Sequence, residues 1–215
     1  MGKFHNDLKL LKDEVEKMGK LSSSMLRDSI TALENLDQDM AESVIMRKEE
    51  LLRYDSEVEE RALEILTLYQ PMAKDMRKLA TILKLDTYLA RIGRYGYDIA
   101  RVTKDLCCQP HIGKLVSIPH MADIVKGMIE DALTAFKEEN TCCIDDLEER
   151  DDKVDALRHS IFRESVSYMM EDPKHITRCS HYIMIARYLE RCADHACKMG
   201  EKIHYMVTGE RKEIR

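Results

Sequence analysis

Two pairs of acidic residues in this chain have the spacing needed to bind a cation. Glu190 and Asp194 are four residues apart, and so are Asp151 and Asp155. Residues four apart lie one turn above each other on an α-helix, so each pair would present two carboxylates from a single helix face. If the two helices pack with these faces turned toward each other, four carboxylates converge on one partly exposed spot.

Four carboxylates at one spot repel each other. Two like charges about 4 Å apart cost on the order of 4 kcal/mol at an effective dielectric near 20. Protonation, separation or a bound cation would relieve this repulsion. Ligands that are all oxygen atoms suit Mg²⁺, Mn²⁺, Ca²⁺ or iron better than copper or a structural zinc. Glu201, seven residues after Asp194, is a candidate outer ligand.

The residues alone also allow a simpler interpretation. In a chain of which 34% of residues are charged, acidic pairs on helices are commonly solvated faces that nearby arginine or lysine residues neutralise. Both interpretations stay open at this stage.

An internal repeat makes the two halves of the chain unequal. Residues 89–96 repeat a hundred residues later, but Ala90 and Arg94 replace the two acidic residues of the later copy. The first-half counterparts of the other acidic pair are Asp55 and Glu59. A guanidinium there can pair directly with either carboxylate. We therefore expect this degenerate first-half site to need no metal.

Six long helices are expected to position these residues. Hydrophobic periodicity and helix breakers place them at residues 3–38, 40–69, 72–107, 120–139, 143–171 and 174–208. Two prolines and a glycine mark a linker between the third and fourth helices. The prediction is an all-α protein of two tandem three-helix bundles related by the repeat. Their ranges are 1–108 for the first repeat, 109–119 for the linker and 120–215 for the second repeat.

Composition excludes several classes of protein. A formal net charge of -6 and a pI near 5.8 argue against general nucleic-acid binding, because phosphate recognition needs a basic surface. The first residues lack the apolar run of a signal peptide, and no stretch approaches the roughly 18 uncharged residues of a membrane span. These features predict a cytoplasmic protein. Seven cysteines without any CxxC spacing are expected to be buried or half-buried free thiols.

Three segments connect the chain to a known family. Residues 68–77 are similar to the QP-x-A-x-DLR segment of the PhoU family of bacterial and archaeal phosphate-signalling regulators. Residues 89–94 resemble a degenerate form of its LERIGD motif, and residues 188–196 are close to LERIGDHA. The resemblance covers nearly the whole chain, including the linker and the repeat.

The resemblance implies two three-helix bundles side by side, each able to hold a metal cluster through E/DxxxD pairs on adjacent helices. Iron is the favoured metal, with manganese, magnesium or zinc as alternatives. The implied second-half ligands are Asp151, Asp155, Glu190 and Asp194. The first-half positions are Asp55, Glu59, Ala90 and Arg94, of which the last two lack a carboxylate.

Partners are also implied by the resemblance. Family members are typically homodimers that meet the phosphate ABC transporter and a sensor histidine kinase at the inner face of the membrane. In that setting they repress the phosphate-starvation response. Peripheral attachment to the membrane is left open, and no nucleic-acid partner is expected.

Three functions compete at this point. The first is a non-enzymatic regulator that docks on protein partners and uses one metal site. The second is a ferritin-like carboxylate oxidoreductase, suggested by the ExxH spacing of Glu201 and His204. That chemistry needs two ExxH motifs on different helices and two further glutamates, and only one ExxH is found. The third is a metal-free helical adaptor, or a regulator of another transporter or channel.

Overall fold

The structure is a computed structural model that describes residues 2–214, and α-helices account for most of it. Two short 3₁₀ turns, Cys142–Ile144 and Pro173–His175, precede the last two helices. The α-helices are α1 Gly2–Asn35, α2 Gln38–Met46, α3 Lys48–Tyr69, α4 Lys74–Leu106, α5 Ser117–Glu138, α6 Leu147–Glu171 and α7 Ile176–Thr208.

These helices form two bundles, and the predicted all-α architecture is confirmed. Helices α1 to α4 pack together in the first half, and α5, α6 and α7 pack together in the second. The second predicted helix consists of α2 and α3, which meet at Arg47, where a ψ of −7° interrupts the helical ladder. The Arg47 guanidinium donates hydrogen bonds to the Asp28 carboxylate at 2.7 Å and the Ser24 hydroxyl at 3.1 Å on α1. These tertiary contacts hold the break in place.

Several helix ends differ from the predicted bounds. Gln70 and Ala73 have positive φ angles of 43° and 49°, so α4 begins at Lys74 rather than at residue 72. Helix α5 begins at Ser117, inside the predicted linker, with Pro119 in its first turn, where proline is well tolerated. The start of α6 lies four residues later than predicted because a 3₁₀ turn comes before it.

Helices α1 and α4 approach each other closely at a glycine. A Cβ atom on Gly96 would lie 2.8 Å from the backbone nitrogen of Leu26. Glycine inside a helix costs about 1 kcal/mol relative to alanine. The close packing that Gly96 permits offsets this cost and fixes α4 against α1.

The two halves meet along α4 and α7 through equivalent residues of the repeat. Tyr88 stacks on His195 with ring centroids 5.6 Å apart, and Tyr188 stacks on Tyr95 at the same distance. Positions 88 and 188 correspond in the repeat, as do positions 95 and 195. The two stacked pairs are therefore related by the internal symmetry, as in an isologous interface between identical subunits.

Polar contacts also join the halves. The Glu139 carboxylate, at the end of α5, accepts hydrogen bonds from Lys12 at 3.0 Å and from Lys78 at 2.7 Å. The buried Arg178 guanidinium donates to the carbonyls of Leu106 and Gln109 at 2.9 and 2.8 Å. The second of these contacts fixes the start of the linker against α7.

Two expectations about the chain as a whole can be compared with the structure. Among residues 2–214, every helix is too short or too polar to cross a lipid bilayer. All seven cysteines are free thiols, but Cys108 and Cys142 are exposed, whereas buried or half-buried thiols were expected.

Candidate functional site

Helices α6 and α7 bring the second-half acidic residues together around Asp151. This half-buried carboxyl lies near Asp194, Asp155 and Glu190. Burial and the negative charges of these neighbours raise the pKa of Asp151 to about 6. Burial also raises the pKa of Asp194, and Arg191 opposes that rise while Glu190 adds to it. Acidic side chains of α6 and α7 are therefore neighbours around Asp151.

Arginines neutralise the carboxylates that α7 contributes. Glu190 pairs with Arg187 of its own helix and with Arg158 of α6, whose Nε lies 3.2 Å from the Glu190 carboxylate. The Asp194 carboxylate accepts a hydrogen bond from Arg191 at 3.2 Å. For these two residues the interpretation that nearby arginines neutralise the carboxylates has structural support, although only Asp194 is well exposed, at 41% against 13% for Glu190.

The donors around Asp151 fit a hard divalent cation in type and in charge. All four side chains offer carboxylate oxygens, which Mg²⁺, Mn²⁺ and iron accept. Asp151 has no basic partner within the described part of the chain, and a cation would compensate the negative charge around it. Within residues 2–214, no three histidine, cysteine or acidic side chains are placed to hold one metal ion. Metal binding would therefore require Glu190 and Asp194 to turn away from their arginines.

Glu201, the candidate outer ligand, has other partners. Its side chain is almost fully buried, and its carboxylate accepts hydrogen bonds from Lys198 at 2.7 Å and from the backbone N–H of Ile214 at 3.2 Å. These contacts hold the segment after α7 against the helix.

The first half contains an acidic residue that sequence reasoning missed. Asp86 of α4 is only 4% exposed and lies against Asp55 and Glu59 of α3. Burial, the charges of these two neighbours and the contact with the Asp55 carboxyl raise the pKa of Asp86 to about 8. Burial and the charge of Glu59 also raise the pKa of Asp55. The first-half acidic cluster thus consists of Asp55, Glu59 and Asp86, three residues rather than the two expected.

A sequence signal for Asp86 did exist. It lies four residues after Ile82 and three before Leu89, both fully buried on the stripe of α4 that faces the core. A charged residue on such a stripe is unusual, since aspartate is rarely buried without a partner. The corresponding position in the second half is the small residue Ala186.

The two residues that replace the missing carboxylates, Ala90 and Arg94, lie in different surroundings. Ala90 lines the same cleft as Asp55 and Glu59. Arg94 is exposed and lies near Asp98, where its charge opposes the rise in the Asp98 pKa that burial causes. No ion pair in residues 2–214 joins Arg94 to Asp55 or Glu59. The guanidinium–carboxylate pair expected in the first half is therefore not formed.

Comparison with known proteins assigns both halves of the chain to one family. The model of the PhoU domain matches it twice, at residues 15–103 and 118–203. The chain belongs to the PhoU family. Each matched PhoU range spans one half of the repeat and contains one of the acidic clusters.

Relatives and solved structures agree with this family. Phosphate-specific transport system accessory protein PhoU homologs from Clostridium acetobutylicum and Rhizobium meliloti are each 32% identical to the chain. The alignments cover 98% and 97% of this chain, and 97% and 89% of the relatives. The crystal structure of PhoU from Pseudomonas aeruginosa superposes with a TM-score of 0.92 at 30% identity, over 96% of this chain and 100% of that one.

Proposed function

We propose that this member of the PhoU family is a regulatory accessory protein of a phosphate transport system, acting by protein–protein contact at the cytoplasmic face of the membrane. The observation that carries the proposal is the pair of PhoU-domain matches, together with relatives that bear this accessory name and align over nearly their full length. The inferred partners are the phosphate ABC transporter and a sensor histidine kinase. The inferred effect is repression of the phosphate-starvation response by a homodimer.

Exposed apolar side chains give this proposal a candidate contact surface. Leu68, Met72 and Met76 surround the turn between α3 and α4, and Met72 is 83% exposed. Exposed apolar groups that cluster on a soluble surface often mark protein contacts. This turn lies within residues 68–77, one of the segments that resemble the family in sequence.

A gene deletion tests the regulatory role. In phosphate-replete medium, cells that lack this protein should express phosphate-starvation genes, and a plasmid copy of the wild-type gene should restore repression. Unchanged expression in the deletion strain would contradict the proposal. A regulator of another transporter or channel would leave these genes unaffected and change the flux of a different solute.

Within this role, a divalent metal ion in the second half is proposed to join α6 to α7. The residues that would hold it are Asp151, Asp155, Glu190 and Asp194. The bound ion would supply positive charge to the acidic cluster around Asp151. Iron is favoured, and manganese, magnesium or zinc would suit the same oxygen donors.

A double substitution tests the metal site. Glu190→Ala with Asp194→Ala should remove about one equivalent of metal while leaving the helical circular dichroism intact. The matched control is Glu60→Ala with Glu64→Ala, an exposed acidic pair of the same spacing on α3. Equal metal content in wild type and the Glu190/Asp194 variant would reject the site.

A non-enzymatic role also agrees with the contacts of the single ExxH motif. The Glu201 carboxylate is occupied by Lys198 and the backbone of Ile214, and His204 Nδ1 lies 3.1 Å from the carbonyl of Glu210. Both side chains thus hold the C-terminal segment.

A ferritin-like enzyme would oxidise Fe²⁺ faster than buffer alone, and we expect no such acceleration. A folded protein without metal would favour the adaptor function.

A further inference from the structure

A basic cleft of about 650 Å³ lies between α4, α7 and the residues that follow α7, and it is open to solvent. Five of its lining side chains are basic, namely Lys84, Lys198, Lys202, Arg211 and Lys212. Two acidic side chains, Glu201 and Glu213, also line it, so positive charges are in excess. This excess is unusual in a chain with a formal net charge of -6, and it requires an explanation because like charges at one place repel each other.

The chain folds back along α7 to complete the basic cleft. Gly209 ends the helix with a φ of 82°, which reverses the direction of the chain. Ile214 is only 4% exposed, and its backbone N–H donates a hydrogen bond to the Glu201 carboxylate at 3.2 Å. Between these two points Arg211 packs on the ring of Tyr205, with its guanidinium carbon 5.9 Å from the ring centroid. The segment is thus anchored at both ends and presents its basic side chains to the cleft.

Negative charges within the protein do not neutralise the basic cleft. Lys84 and Arg211 form no ion pair with any side chain of residues 2–214, although Lys84 also lines the cleft of the first-half acidic cluster. Lys212 lies 3.9 Å from the Asp145 carboxylate, at the limit of an ion pair. The Glu201 carboxylate is almost fully buried and accepts a hydrogen bond from one lysine at 2.7 Å. At least two of the five cations therefore stay available to a ligand.

The internal repeat shows that the fold does not require these charges. Corresponding residues of α4 and α7 lie one hundred positions apart. At the positions equivalent to the three lysines of the basic cleft, the repeat has Met184, Asp98 and Val102. The lysines thus occur at one of the two equivalent places, although the same two helices pack against each other at both. A role that belongs to this cleft explains them better than helix packing does.

We propose that the basic cleft binds a small anion with two or more linked phosphate groups. Such a ligand carries several negative charges, which match a group of five cations. Arginine binds phosphate oxygens in a bidentate manner, and lysine acts as a point charge beside them. The volume of the cleft lies in the range of small-molecule sites, roughly 300 to 1,000 Å³. Because the cations line a recess rather than a flat face, a small ligand fits them better than an extended acidic peptide.

Isothermal titration calorimetry with inorganic pyrophosphate tests the proposal. The full chain is stripped of metal and titrated in metal-depleted buffer without a chelator, since a chelator is itself a multivalent anion. The wild type should bind about one pyrophosphate per chain. Lys84→Gln with Arg211→Gln should weaken this binding at least about tenfold, because each substitution removes a charge-assisted contact with phosphate. Both side chains are exposed, so the helical circular dichroism should not change.

The matched control is Lys20→Gln with Arg163→Gln, which removes the same two residue types from exposed positions on α1 and α6. This variant has the same net charge as the Lys84/Arg211 variant, but the basic cleft is intact. It should therefore bind pyrophosphate with the affinity of the wild type. A parallel titration with ATP distinguishes the two sources of linked phosphates, an inorganic oligophosphate and a nucleotide.

Binding that only the Lys84/Arg211 variant weakens supports the proposal, and the tighter of the two compounds identifies the source. The proposal is overturned if the wild type binds neither compound, if the Lys84/Arg211 variant binds as the wild type does, or if the control loses as much affinity. Tighter binding of a hexaglutamate peptide would also overturn it and assign the cleft to an acidic protein segment. Because the titration contains no metal, these outcomes do not depend on the site of α6 and α7 or on the regulatory role.

Discussion

Replacing Asp86 by asparagine should make the metal-free protein more stable than the wild type, and the difference in the free energy of unfolding should grow as the pH rises. Burial is the largest reason why the pKa of Asp86 is raised from 3.8 to about 8, and the charges of Asp55 and Glu59 add to it. Between these values the folded chain retains a proton that the unfolded chain has released. Stability of the wild type therefore falls as the pH rises through this window. Asparagine has no proton to lose and does not incur this penalty.

The size of the effect follows from the same values. From pH 5 to pH 8 the loss of folding stability caused by Asp86 grows by roughly 1.4 kcal/mol per pH unit, to at most about 4 kcal/mol. Because water reaches the cleft beside Asp55, we expect about 2 kcal/mol of this to be realised. Asp86→Asn should thus gain about 2 kcal/mol over the wild type between pH 5 and pH 8.

The assay is urea unfolding followed by helical circular dichroism, in EDTA, at pH 5, 6, 7 and 8. Asp123→Asn, which removes an exposed carboxylate from α5, is the control and should give a curve parallel to the wild type. If the Asp86→Asn curve is also parallel, Asp86 is not held in a desolvated acidic cluster, and the reasoning about the first half fails.

Three further predictions concern packing and contacts between the halves, and urea unfolding measures each. Gly96→Ala should lower the free energy of unfolding by more than about 3 kcal/mol, because the added Cβ would meet the backbone of Leu26. Gly127→Ala has no contact closer than 3.5 Å and should raise the free energy of unfolding by up to about 1 kcal/mol. Arg178→Met should lower the free energy of unfolding by about 2 to 3 kcal/mol, because it removes both charge-assisted hydrogen bonds to the carbonyls of Leu106 and Gln109. Burial alone would raise the pKa of Glu139, but hydrogen bonds from Lys78 and Lys12 hold this pKa below its usual value of 4.5. Glu139→Gln should therefore lower the free energy of unfolding by about 1 kcal/mol at pH 7, and by less as the pH falls below 4.5. Gly127→Ala that destabilises as much as Gly96→Ala, or no loss for the other two variants, would contradict these assignments.

Much of the fold could be predicted because helix periodicity and breakers are local signals. The linker contains two prolines and a glycine, and the repeat indicates two equivalent halves. The break at Arg47 carries no such signal, since neither glycine nor proline is near it. It depends on hydrogen bonds to Ser24 and Asp28 of another helix. Tertiary contacts of this kind cannot be derived from periodicity.

The second-half cluster could be predicted in part. The four-residue spacing predicted acidic faces on α6 and α7, and acidic side chains of both helices lie near Asp151. The partners of Glu190 were not predictable, because the contact with Arg158 depends on how the two helices are rotated against each other. Asp86 was not predicted because it lies outside the motif in which positions 90 and 94 change. Its place on the apolar stripe was the available signal.

The most direct test of the account is the metal content of wild-type protein purified without a histidine tag, measured by plasma mass spectrometry. We predict at least one iron, manganese or zinc ion per chain, and its loss in the Glu190→Ala, Asp194→Ala variant. Folded wild-type protein that contains no metal, and takes up none when iron or Mn²⁺ is added, would contradict the claim that these carboxylates form a metal site.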